Sequence, residues 1–534
     1  MTAQGGIGLS VATLLRRAAS VAPGKEIREA DPAGRPVGTP WAVLRQRALR
    51  LTNALARLGI EPGGAVATFA WNSTRHLEWF FGVPMASHVL VPVNVRFSDE
   101  QIAWVVAHAN ARVMVVDASL TGRLARLLPR LRSVREFVVM PDGGEVHPAF
   151  AGAHHYEELL ASAEPDEPRD VAENRTACLC YTGGTTGNPK GVAHSHRSIV
   201  LHSLAVCAAD AFAIRERDVI LPLTPLFHAA AWGLPYAAAM AGAGLVFTGP
   251  HLKPEAIAAT LRRERVTFSA GVPTFWLALD ELDPPEEVFA SLERIVCGGS
   301  AIPYGLVRRY ADRGVTMQQG LGMTENMALV ALTTVRGSQE SLPPEKQLEL
   351  HDTQGLAVPG VELRLVGERD EVLPHDGVTQ GELEVRSFWG ATRYENPGDD
   401  TNTRKFHDGW LRSGDIASID PDGYVRITDR SKDLIKSGGE WISSITVESA
   451  LMDHPDVLEA AVVAMPDARW QERPLAVVVA RPGAGVAPEA LRAFLNGRLP
   501  KWWLPDRYVF VSEIPRTATN KFDKKVLRSR YAGH

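Results

Sequence analysis

Apolar residues recur at helical spacing through WAVLRQRALRLTNALARLGI, residues 41–60, and give way to GGAVATFA, a short apolar run opened by glycines. The first pattern predicts an amphipathic helix and the second a buried strand. The pair returns in SDEQIAWVVAHANARVMVVD, residues 98–117, with Ser98 placed to cap the helix. Helix and strand alternate in this way to about residue 350, which predicts an α/β fold of layered, mostly parallel sheets. From residue 355–360 to 428 the texture changes. VELRLVG, GELEVRS and GYVRITD read as short strands separated by turn residues, a β-rich subdomain. Beyond DRSKDLIKSGGEWIS the chain resumes with LEAAVVAMPD, RPLAVVVARPG and the helical APEALRAFLNGRL, a small α+β unit. The expected organisation is a large N-terminal domain over 1–428, a linker over 429–434 chosen for its polar run, and a mobile C-terminal domain over 435–534.

A chain of 534 residues exceeds what one hydrophobic core supports, in keeping with several domains. Its 45% hydrophobic and 22% charged content is that of a globular protein. A net charge of -5 argues against a nucleic-acid binder, although the last 34 residues hold eight Lys/Arg against three Asp/Glu. Four cysteines are too few for a disulfide framework and suit a reducing, cytoplasmic setting. The first 25 residues lack the apolar stretch of an export leader and suit an amphipathic helix. Residues 219–252 contain no Asp, Glu, Lys or Arg, but four prolines and four glycines interrupt them. Buried elements around a pocket are therefore expected there, and no transmembrane segment.

One stretch carries chemistry on its face: CYTGGTTGNPKGVAHSHRS, residues 180–198. Glycines admit a close backbone approach, threonines supply hydroxyl donors and Lys190 supplies positive charge, the means by which a loop cradles phosphate. It is not the Walker pattern, because Lys190 lies between Pro189 and Gly191. A solvent turn is the competing reading.

With CGGSAIP (297–303), GLGMTE (320–325), WLRSGDIASIDPDGYVRITDRSKDLIKSGGEWIS (410–443) and PRTATNKFDKK (515–525), the stretch resembles the adenylate-forming superfamily of acyl-CoA synthetases, luciferases and nonribosomal adenylation domains. The five segments follow the family's order over essentially the whole chain, with Gly183 where the loop usually has serine. Among its members, HAAAWG and GGEWIS are most similar to medium- and long-chain fatty acyl-CoA synthetases.

The resemblance implies ATP, Mg²⁺ and CoA as cofactors and a small-molecule acid as substrate, with a homodimer as the common assembly. An oxygen of the acid attacks the α-phosphorus and expels pyrophosphate, and the acyl group then passes to CoA. Thr182, Gly183, Gly184, Thr185, Thr186, Gly187 and Lys190 would hold the β- and γ-phosphates. Thr324 would contact the α-phosphate, Glu325 would hold Mg²⁺, and Asp415 and Arg430 would reach the ribose. Gly299, Ser300, Ala301, Gly320, Leu321, Gly322 and Ile427 would complete the nucleotide site. Lys521 is expected to bridge the acid and the α-phosphate during adenylation. After rotation of the small domain about Asp429, Lys436 with Gly438, Gly439, Glu440 and Trp441 would face the acceptor. His228, Trp232, Gly298, Asn326 and Met327 would line the acid pocket, Trp232 alternatively being a core aromatic. Lys524 and Lys525 are expected to be solvated or to contact CoA phosphate.

Three positions depart from the family pattern: Leu321 replaces an aromatic that stacks on adenine, Asn326-Met327-Ala328 follow Glu325, and Asn520 precedes Lys521. The changes beside the acid site keep a second reading open. In it the chain adenylates an aryl acid, or nitrite as a diazotase does, with an acceptor other than CoA.

Overall fold

The computed structural model describes residues 8–532 except 31–34, 168–170, 184–187, 431, 439 and 518–520, and leaves out the side chains of Asp352 and Glu440. The two opening patterns become the helix Trp41–Arg57, which buries Trp41, Leu44, Leu51 and Leu55, and the strand Ala65–Phe69, buried along its whole length. Ser98 caps the helix Asp99–His108 in a reciprocal capping box with Gln101.

Two large sheets form the bulk of the chain. One has nine strands among the described residues, in the order Leu356–Ala357, Ala331–Leu332, Thr316–Leu321, Arg294–Gly298, Phe268–Gly271, Val219–Pro222, Gly244–Val246, Glu26–Ala30, Pro36–Pro40. Its middle pairings are parallel. The other has eight strands among the described residues and is centred on the parallel run Val89–Pro92, Ala65–Phe69, Val113–Asp117, Glu136–Met140. The principal core draws on the helices Val11–Val21, Trp41–Arg57, Thr74–Met85, His196–Cys207 and Leu234–Ala241 together with strands of both sheets. Apolar residues on both faces of these strands are what a covered parallel sheet requires.

Among the described residues the β-rich segment forms a six-stranded antiparallel sheet from Val361–Val366 to Val425–Arg430. A sheet of five described strands follows, beginning with the hairpin Ile435–Ser437 and Glu440–Ile442 and built on the long pair Val457–Asp467 and Gln471–Ala480. The helices Ser444–Met452 and Pro488–Leu495 pack with it in one cluster, and residues 514–532 contribute to another. Among the described residues no helix is long and apolar enough to cross a membrane.

The uncharged run 219–252 is built as expected from buried strands and the helix Leu234–Ala241, with one departure. Ala229, Ala230, Ala231, Trp232 and Gly233 have φ of 39, 46, 53, 56 and 73°, a turn of left-handed helix. Such a turn costs roughly 1–2 kcal/mol per non-glycine residue. Packing holds it: a Cβ on Gly233 would lie 2.3 Å from the ring of His202, itself buried in the core. Two polar residues also differ from their reading in the sequence. Asp429 is 1% exposed, its carboxylate accepting from the amides of Arg430 (2.7 Å) and Ser444 (2.5 Å) at the start of a helix. Lys524 is not solvated, because its ammonium donates to Ser444 Oγ (2.6 Å) and pairs with the buried Glu448 (2.7 Å).

Candidate active site

Strand register decides where the chemistry gathers. Pro222 is paired with Ala270, Gly271 with Cys297, and Gly298 with Gly320, so four parallel strands end at one edge. The segments leaving that edge carry Thr224 and His228, Val272, Gly299 and Ser300, and Thr324 and Glu325. The carboxyl ends of parallel strands are the usual place for a ligand crevice. Gly298 and Gly322 keep the backbones close, since a Cβ at the first would meet Gly320 O at 3.0 Å and at the second Ala328 O at 2.1 Å.

Asp415 and Arg430 arrive from the β-rich sheet as directly opposed residues of the strands Trp410–Ile419 and Val425–Arg430, with Arg430 Nε 3.4 Å from Asp415 Oδ1. Burial pushes the Asp415 carboxyl above its usual range, against the pull of Arg430, Lys521 and Lys405. Leu321 and Ile427 lie half-buried against the core of this same sheet, Ile427 N donating to Gln354 Oε1 (2.5 Å).

Lys521 comes from the C-terminal unit and is half-buried at the strand edge. A Cβ on Gly299 would lie 3.6 Å from Lys521 Cε, and Gly299 has φ of 90°, a backbone that glycine adopts without strain. Burial, followed by repulsion from Arg430, pushes the ammonium down to about 8, while Asp415 and Glu325 act in the opposite sense. A cation is thus held between two carboxylates and a guanidinium, with its charge incompletely balanced.

Glu325 sits in the turn Thr324–Asn326 and accepts a short hydrogen bond from the hydroxyl of Tyr394. The ring of Tyr394 in turn meets Lys190. Lys190 Nζ stands 5.4 Å from the Tyr394 ring centroid and donates to Thr401 Oγ1 at 3.1 Å. Thr182 and Lys190 close the base of the loop through Thr182 N to Lys190 O (3.0 Å) and Lys190 N to Thr182 Oγ1 (3.1 Å). Tyr394 and Thr401 went unrecognised in the sequence, where TRYENPGDDTNT carries no pattern that marks them.

Beside these groups a narrow cleft of about 30 Å³ is lined by Asn94, Arg96, Thr224, His228, Trp232 and apolar side chains including Leu223, Phe227, Val272 and Phe275. Burial, then the charges of Lys521 and Arg96, push the His228 imidazole down to about 4, so it is neutral at pH 7. Trp232, 6% exposed, faces both ways: it belongs to the principal core, lines the cleft, and would touch a methyl on Gly298 at 3.2 Å. Asn326 turns from the cleft toward the β-rich segment, where Ser387 Oγ lies 2.7 Å from its Oδ1 and Trp389 Nε1 donates to its carbonyl (3.0 Å). Met327, with φ of 48°, is wholly buried in the principal core.

Lys521, Asp415, Arg430, Glu325 and His228 thus share one electrostatic neighbourhood. Thr182, Gly183, Lys190, Ser300, Ala301, Gly320 and Thr324 are also among the described residues. Gly184, Thr185, Thr186, Gly187, Gly439 and the Glu440 side chain lie outside what is described, as does Asn520. The remaining expected residues sit on a separate hairpin, where Lys436 Nζ stands 4.6 Å from the Trp441 ring centroid. Gly438, φ 62°, donates its amide to Trp470 O at 2.8 Å.

The chain matches two family descriptions, AMP-binding enzyme over residues 15–394 and AMP-binding enzyme C-terminal domain over residues 446–521. It is 44% identical to a long-chain-fatty-acid–CoA ligase of Thermus thermophilus, over 98% of this chain and 96% of that protein. It is 41% identical to a 3-methylmercaptopropionyl-CoA ligase of Ruegeria pomeroyi, over 92% of each. Among solved structures it is similar to the anthranilate CoA ligase AuaEII in complex with anthranoyl-AMP, with a TM-score of 0.88 at 25% identity, covering 99% of this chain and 98% of that one. These matches span both the large and the small units described above, and the chain belongs to the AMP-binding enzyme family, among its AMP-forming acid–CoA ligases.

Proposed function

We propose that the acid activated by this enzyme is a fatty acid, and that the residues gathered at the strand edge perform its adenylation. The observation that carries the reading is the placement of Lys521 beside Gly299, in the field of Asp415 and Glu325, and close enough to act on His228 in the wall of a cleft that also holds Leu223, Phe227, Trp232, Val272 and Phe275. The carboxylate oxygen of the acid attacks the α-phosphorus, the bond to the bridging oxygen breaks, and pyrophosphate leaves. No enzyme nucleophile is required. Catalysis is positioning and charge stabilisation, for which an ammonium aimed at the developing charge is suited. Lys190 and the loop around it bind the outer phosphates, and Asp415 with Arg430 orients the ribose. In the second step the CoA thiol attacks the acyl carbonyl and AMP departs.

The residues present fit Mg²⁺ carried by the nucleotide. One Glu325 oxygen takes the Tyr394 hydroxyl, leaving the other for a hard cation, and the described residues contain no cluster of three His, Cys, Asp or Glu. Mg²⁺ is commonly held by one or two carboxylates together with substrate phosphates. It would supply charge neutralisation on the departing pyrophosphate. Glu325 holds and orients, and Tyr394 fixes its rotamer.

For the transfer step we assign the hairpin of Lys436, Gly438 and Trp441, brought to the site by rotation about the segment following Asp429. The four free cysteines support a reducing, cytoplasmic location, and the family resemblance supports a homodimer, which light scattering tests. The deciding experiment is a pyrophosphate-release screen over fatty, short-chain and aryl acids and nitrite, with and without CoA. Turnover confined to fatty acids is expected, and turnover confined to an aryl acid or nitrite would overturn the reading.

A further inference from the structure

A second cavity, of about 330 Å³, opens where the parallel strands Ala65–Phe69, Val113–Asp117 and Glu136–Met140 begin. The phosphate loop leaves the carboxyl end of Thr176–Tyr181, a parallel neighbour in the same sheet, so the two places lie at opposite ends of strands that run roughly 17–20 Å. Arg112 and Arg135 line the cavity, each one residue ahead of its strand. The register that pairs Val113 with Glu136 sets the two arginines side by side, Arg135 N donating to Arg112 O at 2.8 Å. Like charges opposite one another on adjacent strands are destabilising. No described residue relieves them. Arg112 reaches only Ser133 O at 3.5 Å, the Arg135 guanidinium has no hydrogen-bond or ion-pair partner among the described residues, and Glu136 is held by His154 Nε2 at 3.0 Å. A third guanidinium stands close by, since a Cβ on Gly63 would lie 3.0 Å from Arg175 Nη2. The same cavity is lined by Glu61, whose carboxylate has no partner among the described residues, and by the apolar Leu58, Ile60 and Ala109.

We propose that this cavity is a second nucleotide site, separate from the catalytic one, and that it takes a mononucleotide. Guanidinium forks match the oxygens of a phosphate, and an adjacent pair gains its missing counter-charge from one. The Glu61 carboxylate only accepts hydrogen bonds, so it calls for a donor on the ligand, which the ribose hydroxyls supply. The apolar side chains offer contact to a base. Inorganic phosphate would satisfy the arginines alone and leave most of the space empty, for the volume is at the lower end of small-molecule sites, about 300–1,000 Å³. A fatty acid would bring an anion but no donor for Glu61. A sugar phosphate shares the phosphate and the hydroxyls, and the experiment below separates it from a nucleotide. The site does not depend on which acid the enzyme activates.

Calorimetric titration with UMP tests it, because the nucleotide of the catalytic site carries adenine. The parent enzyme should bind one UMP per chain, more weakly as ionic strength rises. Replacing both arginines, Arg112→Ala with Arg135→Ala, should raise the Kd for UMP about a hundredfold, about tenfold for each charged hydrogen bond lost. Without nucleotide the double variant should melt no lower than the parent, since two adjacent like charges are gone, and should keep its pyrophosphate exchange. Glu61→Gln should weaken UMP while tightening inorganic phosphate, a divergence that a merely structural role would not produce. Asp415→Ala, altered in the catalytic site, should bind UMP as the parent does. Absence of saturable UMP binding by the parent, or an unchanged Kd in the double variant, overturns the proposal. Loss of UMP binding in Asp415→Ala overturns it by placing the ligand in the catalytic site. Ribose 5-phosphate or inorganic phosphate binding as tightly as UMP overturns it by leaving the base without a role. A flat UMP titration in an enzyme that still exchanges pyrophosphate removes this site alone and leaves the adenylation reading standing.

Discussion

Replacing Lys521 by alanine removes the cation beside Gly299 while leaving the nucleotide groups in place. A preorganised donor aimed at charge that develops in the reaction is worth roughly 3–4 kcal/mol, so adenylation should fall about 10²- to 10³-fold. The pH profile gives a second, independent readout. Burial and Arg430 hold the ammonium at about 8, below the ordinary lysine value of 10.5, and catalysis needs its charged form. The kcat/KM for pyrophosphate exchange, which reports the free enzyme, should therefore decline above about pH 8. The kcat limb, with phosphate and carboxylate bound nearby, should lie at higher pH. Stability moves the other way. Between about pH 8 and 10.5 the unfolded chain binds the lysine proton and the folded chain does not, so stability rises with pH across that window. Below it the charged lysine is carried at a cost, and Lys521→Ala should be no less stable than the parent. Exchange followed from pH 6 to 10, with thermal melts at each pH, measures both. Near-normal exchange in the variant, or an alkaline limb that persists without Lys521, would refute the reasoning.

Lys436→Ala should spare pyrophosphate exchange and slow thioester formation from preformed adenylate; equal loss of both half-reactions would contradict a separate role for the hairpin. Tyr394→Phe deletes the hydroxyl that holds Glu325, and should raise the Mg²⁺ concentration needed for half-maximal exchange severalfold with little change in melting temperature. An unchanged Mg²⁺ dependence would remove the link between the two residues. Trp232→Ala should widen the cleft and shift relative kcat/KM toward bulkier acids. An unchanged substrate profile with a loss of about 3–5 kcal/mol in stability would mark the indole as core packing only.

The elements that follow local periodicity were legible in the chain, as the helix Trp41–Arg57 and the strand Ala65–Phe69 show. Convergence between distant elements was not. Tyr394 serves Glu325, which lies 69 positions away, and Thr401 serves Lys190, which lies 211 away, and neither partner leaves a trace in the neighbouring residues. The resemblance supplied Asp415 and Arg430 singly, and only the antiparallel register shows why they lie side by side. Lys524 misled because its charged neighbourhood suggested solvent, whereas Glu448, distant in sequence, draws it inward. The left-handed turn at Ala229–Trp232 is likewise beyond local reading, since a run of alanines favours the right-handed helix and only tertiary packing overrides it.

That mirror-handed turn couples two properties of the enzyme that are ordinarily separate. Four non-glycine residues held there represent about 4–8 kcal/mol of conformational cost, located where Trp232 enters the wall of the cleft. Were the segment to revert to the common hand, the cost would vanish and the indole of Trp232 would project from a different side of the backbone. Selectivity can therefore drift without any lining residue being replaced, through changes around His202 that loosen its grip on Gly233. Such variants would gain local stability and lose discrimination together. On the proposed reading of this cleft, then, the choice of acid is a matter of backbone handedness as much as of pocket size.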